Sequence, residues 1–142
     1  AVVSNGAVQP NKVVASGAIT ADHAMTKGYV GLPFTSTLRT MRAEGGAAQG
    51  TAQGKQKRIH EVTVRLLNTV GAKLGVDATT TDIIPFRSSA DEMDEPPAMF
   101  SGDKKIEFNA TFDTDGFITV VQEQALPMTV LALYPQLTVF ED

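Results

Sequence analysis

Between Lys57 and Leu67 the chain alternates, and this alternation is the clearest structural signal in the sequence. Val62, Val64 and Leu66 share one phase with Arg58 and His60; Ile59, Glu61, Thr63, Arg65 and Leu67 share the other. A period of two marks a strand with one face inside. The pattern predicts Val62, Val64 and Leu66 on the buried face, with His60 partly buried beside them. The run Val62-Thr63-Val64 fits a pleated surface. Asn68 to Gly71 reads as a turn and Ala72 to Val76 as a short return strand.

A second alternation runs from Lys104 to Phe112, with Ile106, Phe108, Ala110 and Phe112 opposed to Lys105, Glu107, Asn109 and Thr111. Asp113-Thr114-Asp115-Gly116 is a turn sequence, Gly116 supplying the positive φ. Phe117 to Gln122 then predicts the return strand of a hairpin. The end of the chain is almost continuously apolar over Met128 to Tyr134 and Gln136 to Phe140. Such a run predicts a strand covered on both faces, in a sandwich or at a subunit interface. Val130, Leu131, Leu133 and Leu137 are its candidate core or interface residues.

The first third is strand and turn. Asn5-Gly6 is a strong hairpin signal, because a type I′ turn needs two residues at positive φ. Ala7 to Val14 follows as a strand, Ser16-Gly17 as a second turn, and Ala18 to Thr20 as a return. Lys27 to Met41 reads as strand, with Pro33 at an edge or bend because it has no N–H for a ladder. Two segments lack a strand pattern. Ala43 to Gly54, AEGGAAQGTAQG, is Gly-rich with few bulky side chains and predicts a linker or flexible loop; its other reading is a loop that orders against a neighbouring subunit. Asp77 to Phe100 contains Pro85, Pro96, Pro97 and the acids Asp91, Glu92, Asp94 and Glu95. It predicts irregular structure, with room for a helical turn or two only between Ser88 and Glu95. About seven to nine short strands without a long helical period point to one all-β, antiparallel domain, a sandwich or barrel.

Composition narrows the chemistry. The 142 residues suit one domain, and a formal charge of −4 argues against a domain-wide grip on nucleic acid. There is no cysteine, which removes disulfides, thiolate metal sites and cysteine nucleophiles. No apolar run approaches the roughly 20 residues of a membrane helix. Opening at Ala1 within a strand pattern, the sequence reads as a fragment of a longer polypeptide.

No reactive constellation stands out. His23 and His60 lie in separate segments without further ligands, so no metal site is expected. Asp113 to Gly116 imitates the start of a calcium loop, but Gln122 stands where the bidentate Glu belongs. Gly50 to Gln56 imitates a phosphate loop, but its glycine spacing is short and Lys55 is followed by Gln56, not Ser or Thr. No serine carries an elbow motif. Without tryptophan and with only Tyr29 and Tyr134 as tyrosines, a sugar-stacking cleft is not expected. Lys55, Lys57 and Arg58 form the one basic cluster. It reads first as a solvated strand entrance that guards an edge, and second as a contact for DNA phosphate or for Asp91, Glu92, Asp94 and Glu95 of a neighbour.

Several strings carry a family resemblance. They are Asn5-Gly6-Ala7-Val8, Val30 to Ser36 (VGLPFTS), Thr51 to Ile59 (TAQGKQKRI), Val62 to Arg65, Ile84 to Arg87, Phe100 to Lys104 and Leu126 to Leu133. In this order they resemble the C-terminal part of podophage tail tubular or nozzle proteins, including the packaged-DNA stabilisation type. The resemblance implies a non-enzymatic virion component without cofactor. It also implies a homo-oligomeric ring, usually a hexamer, that contacts other tail proteins and extends the channel through which DNA leaves. Rival expectations are a capsid cement or decoration protein, a tail-fibre attachment module, and a carbohydrate-binding or carbohydrate-cleaving tail domain.

Overall fold

The computed structural model describes residues 1–45 and 50–140, and among these there is no helix. Ten strands are present: β1 (Val2–Ser4), β2 (Ala7–Gln9), β3 (Gly28–Val30), β4 (Ser36–Arg39), β5 (Lys57–Thr69), β6 (Lys73–Gly75), β7 (Thr81–Ile83), β8 (Phe100–Glu107), β9 (Thr119–Gln122) and β10 (Val130–Val139). They form three antiparallel sheets, ordered β2-β1-β3, β10-β5-β8 and β4-β9-β6-β7. The fold is all-β, as the alternation predicts. The strand number exceeds the seven to nine expected, because Pro33 divides the Lys27 to Met41 segment into β3 and β4, and Thr81–Ile83 forms a strand inside a segment expected to be irregular.

The second and third sheets face each other across the core. From β5 come Ile59, Val62, Val64 and Leu66; from β6 and β9 come Leu74 and Val120; Ala72, Ile84, Phe108 and Ile118 complete the cluster. Removing each larger aliphatic chain from water contributes roughly 1.5–3 kcal/mol. β5 is the axis of its sheet, pairing along its length with β10 on one side and β8 on the other.

Two interruptions in β5 and β10 decide which way side chains point. Between Gln136 and Leu137 the partner on β5 changes from Glu61 to Ile59, so His60 is an extra residue in the ladder. A bulge of this kind reverses the phase of alternation. Lys57 and Ile59 are therefore buried on the same side as Val62, Val64 and Leu66, and His60 is exposed, which corrects its expected place beside Val62. The second irregularity lies between Val130 and Ala132, where Leu131 falls out of register and is 56% exposed.

Two expected hairpins are not formed. β8 pairs with β5 and β9 with β4 and β6, so residues 108–118 cross from one sheet to the other. β6 likewise leaves β5 and joins β7 and β9. Asn68 and Gly71, at φ 45° and 83°, make the crossing after β5. β6 lies within the expected Ala72 to Val76, but the strand expected over Lys104 to Phe112 is displaced to Phe100–Glu107, and in both cases pairing followed the burial of two inner faces against each other. β10 is a sheet edge and is only partly buried, so the double covering expected for Met128 to Phe140 is not supplied by the described residues. Pro135 sits within this edge strand opposite Val62, where a missing N–H is tolerated.

The hairpin at Asn5-Gly6 is present, with φ 50° and 89°, closing β1 on β2 through Ser4 and Ala7. Ser16 and Gly17 form the second predicted turn, with a bridge between Ala15 and Ala18. The strand expected over Ala7 to Val14 ends at Gln9.

Candidate functional site

The basic cluster does not form one surface. Lys57 is 1% exposed and its ammonium is turned inward, donating to the carbonyl oxygens of Ala43 at 3.0 Å and Ala52 at 3.1 Å. This corrects both readings of Lys57, as a solvated charge and as a contact for DNA or a neighbour. The cause is the β5 bulge, which puts Lys57 in phase with the core. Lys55 is half-buried and Arg58 exposed.

Lys57 also changes the reading of the Gly-rich segment. The Glu44 carboxylate accepts from the Ala52 N–H at 2.7 Å and from the Thr51 hydroxyl at 2.6 Å, and Ala52 is fully buried. The two ends of the segment are thus tied to each other and to β5, which is not the behaviour of a plain linker. Residues 46–49 of that expected loop lie outside the described residues.

The outer face of the β10-β5-β8 sheet carries compensated charge. Arg65 and Asp103 meet in a two-pronged pair, with Nε–Oδ1 and Nη2–Oδ2 both 2.7 Å. Glu61 and Lys105 pair at 2.8 Å. Asp103 is held below the usual carboxylate range by its hydrogen bonds to Arg65, and Arg65 is raised in return. Tyr134 on β10 lies under the same guanidinium, 5.4 Å from ring centre to Cζ. With Arg65 and Lys105 paired, Arg58 is the one cation of β5 on this face without an ion pair among the described residues, and a single free cation is a weak ligand for the phosphate backbone.

The acidic segment curls around Arg87, which donates to the backbone carbonyls of Glu92 and Glu95. Glu92, Asp94 and Glu95 are exposed and Asp91 is half-buried, its carboxylate accepting from the Ser88 N–H at 2.6 Å. Asp94 and Glu95 border a groove of about 570 Å³ with Val8 and Phe86, whereas Lys57 borders a different cleft. The structure does not bring the basic and acidic residues to one site. Of the β10 candidates, Val130, Leu133 and Leu137 pack against the core, and Leu131 alone points outward.

His23 and His60 are both exposed. Among the described residues no group of three or more His, Asp or Glu is arranged to hold a metal ion. Asp113 to Gly116 is a turn in which Arg42 binds Asp115 at 2.7 Å. No helix of the described residues is long and apolar enough to cross a membrane.

The most distinctive surface was not singled out by residue chemistry. From Tyr29 to Met41 the chain runs along two sheet edges, β3 of the first sheet and β4 of the third. Tyr29 is 76% exposed, Leu32 90%, Phe34 73% and Met41 87%. The Ala1 amino group holds the strip in place, donating to the Gly31 carbonyl at 2.8 Å, and the Gly31 N–H returns to Ala1 at 3.2 Å. Scattered apolar side chains on a surface need no explanation; here large ones follow one another along two unpaired sheet edges. The sequence signal for it was present. Val30 to Phe34 is apolar without alternation and is interrupted by Gly31 and Pro33, so it has no inner face to bury. No family model matches the chain, and no curated protein matches it.

Proposed function

We propose that this chain is a structural component of a bacteriophage virion, a tail nozzle or tubular subunit that acts by fitting against copies of itself and against other tail proteins. The observation that carries this reading is the exposed apolar strip from Tyr29 to Met41. Part of it, Val30 to Ser36, is also one of the strings that resembles the nozzle proteins. A string whose apolar side chains contribute nothing to the core of their own domain is explained by a neighbour that covers them. Covering Leu32 and Phe34 would supply roughly 1.5–3 kcal/mol each to association.

In this reading the two-layer sandwich is a rigid support, and the work is passive. Copies assemble into a ring, six in the form the resemblance implies, around the path of the exiting DNA. The charge-compensated outer sheet suits a channel wall that lets DNA slide, because it offers no array of free cations to hold phosphate.

The test has two arms. Antibody labelling of phage particles should place the chain at the tail tip; a label spread over the shell would replace the nozzle reading with a cement protein. Sedimentation of the purified chain should show an oligomer that Leu32→Asp and Phe34→Asp dissociate, with the circular dichroism unchanged. A monomer at high protein concentration, equally unaffected by both substitutions, would remove the strip as a self-interface.

A further inference from the structure

A second feature lies away from the strip and is not used by the reading above. A cleft of about 520 Å³ opens at one margin of the sandwich, where the 109–117 crossover meets β4 and the turn after β6. Its size falls within the roughly 300–1,000 Å³ typical of small-molecule sites.

The polar groups of this cleft are held but not saturated. The Arg39 guanidinium stacks on the Phe117 ring, 3.9 Å from its centre. Among the described residues it makes no hydrogen bond or ion pair, although it carries five N–H donors in a fixed plane. The Asn109 side chain likewise makes no hydrogen bond among the described residues, and both residues are exposed. Across the cleft, Asp77 is fixed through Oδ1, which accepts from the Thr79 N–H, the Thr79 hydroxyl and the Thr80 N–H, each at 2.7 Å. Its Oδ2 takes part in none of these bonds. The Thr79 hydroxyl, with the Thr79 and Thr80 N–H groups, keeps Asp77 below the usual carboxylate range. Asp115 is turned by Arg42 in the same way, bonded through Oδ1. Phe112, 48% exposed, supplies an apolar wall.

This set selects against charged ligands of either sign. An anion attracted to Arg39 meets Asp77 and Asp113, Asp115 being already paired with Arg42; a cation attracted to those acids meets Arg39. A neutral ligand that both donates and accepts at many points satisfies both kinds of group, and hydroxyl groups do this. The planar forks of Arg39 and Asn109 can each engage a pair of adjacent hydroxyls, and the remaining Oδ2 of Asp77 can accept from one more, with an apolar ring face against Phe112. We infer that the cleft formed by Arg39, Asp77, Asn109 and Phe112 is a binding site for a neutral, polyhydroxylated ligand, a glycan segment, bound without turnover.

The experiment is an immobilised array of neutral and acidic bacterial glycans probed with the whole chain, followed by titration of the best neutral hit into isotope-labelled protein. Saturable binding of a neutral glycan is expected, with amide shifts centred on residues 109–117. Arg39→Ala and Asn109→Ala should each weaken it at least tenfold. Asn109→Ala removes an exposed amide that bonds nothing among the described residues, so loss of binding there is not loss of fold. Binding of acidic glycans alone, no saturable binding to any neutral glycan, or binding untouched by both substitutions would each overturn the assignment.

Discussion

Lys57 donates from its buried ammonium to the carbonyl oxygen of Ala43 at 3.0 Å, across a segment that returns to meet it at Ala52. A strand residue thereby closes the neck of the Gly-rich segment. Its methylene stem passes Gly116 so closely that a Cβ there would lie 3.2 Å from the Lys57 Cδ. Lys57→Met keeps the stem and deletes both bonds, leaving the Ala43 carbonyl without its donor and the Ala52 carbonyl with only the Lys55 N–H at 3.3 Å. The expected loss is about 2–3 kcal/mol, read from urea denaturation with an unchanged m value. A variant within about 0.5 kcal/mol of the parent would mean that the segment is held by other contacts.

Gly75 answers to a different constraint. It lies in β6 between Thr81 of β7 and Thr119 of β9. A Cβ at this position would fall on the Thr80 carbonyl oxygen and within 2.7 Å of the Thr81 Cα. Those are backbone atoms and cannot rotate away, so Gly75→Ala must pry β6 from β7, at about 3 kcal/mol. Gly31→Ala is the control, since nothing lies within 4 Å of a Cβ there. Thermal melting should separate the two variants clearly; equal melting temperatures would contradict the tight β6–β7 approach.

The Arg65–Asp103 pair gives a pH dependence of defined sign. Asp103 is held below its ordinary value of 3.8, first by the hydrogen bonds from Arg65. A carboxyl that is more acidic folded than unfolded contributes stability that is complete above the unfolded value and is lost as pH falls through the folded one. The melting temperature of the parent should therefore exceed that of Asp103→Asn from neutral pH down to about pH 5. The gap should close progressively between about pH 5 and pH 2. A gap that is constant across this range would show that the pair contributes through shape, not charge.

Asn5 ties the first hairpin to the chain far downstream. Its side-chain oxygen accepts from the Thr26 N–H at 3.2 Å, the Thr26 hydroxyl at 3.0 Å and the Lys27 N–H at 3.1 Å. Asn5→Ala removes these bonds and a residue suited to positive φ, for a cost of about 1–2 kcal/mol. Hydrogen exchange should quicken at the amides of Lys27 and Ala7 while those of Val62 and Val64 keep their protection. Uniform quickening throughout would show instead that the β2-β1-β3 sheet and the sandwich unfold as one unit.

The parts of this fold legible in the sequence are those decided by neighbours a few residues apart. Asn5-Gly6 and Ser16-Gly17 adopt their turns because positive φ is a local property of those residues. Val62, Val64 and Leu66 face inward because a strand alternates whatever it pairs with. The rest needed three dimensions. Nothing within a few residues of His60 announces the bulge that exposes it and buries Lys57, because the bulge is a property of the pairing with β10. Whether β9 returns to β8 or joins β4 and β6 depends on burying two inner faces at once, a free energy shared among distant residues. The exposed strip lies between these cases. Its apolar run is plain in the sequence, but only the folded chain shows that the core is already filled without it.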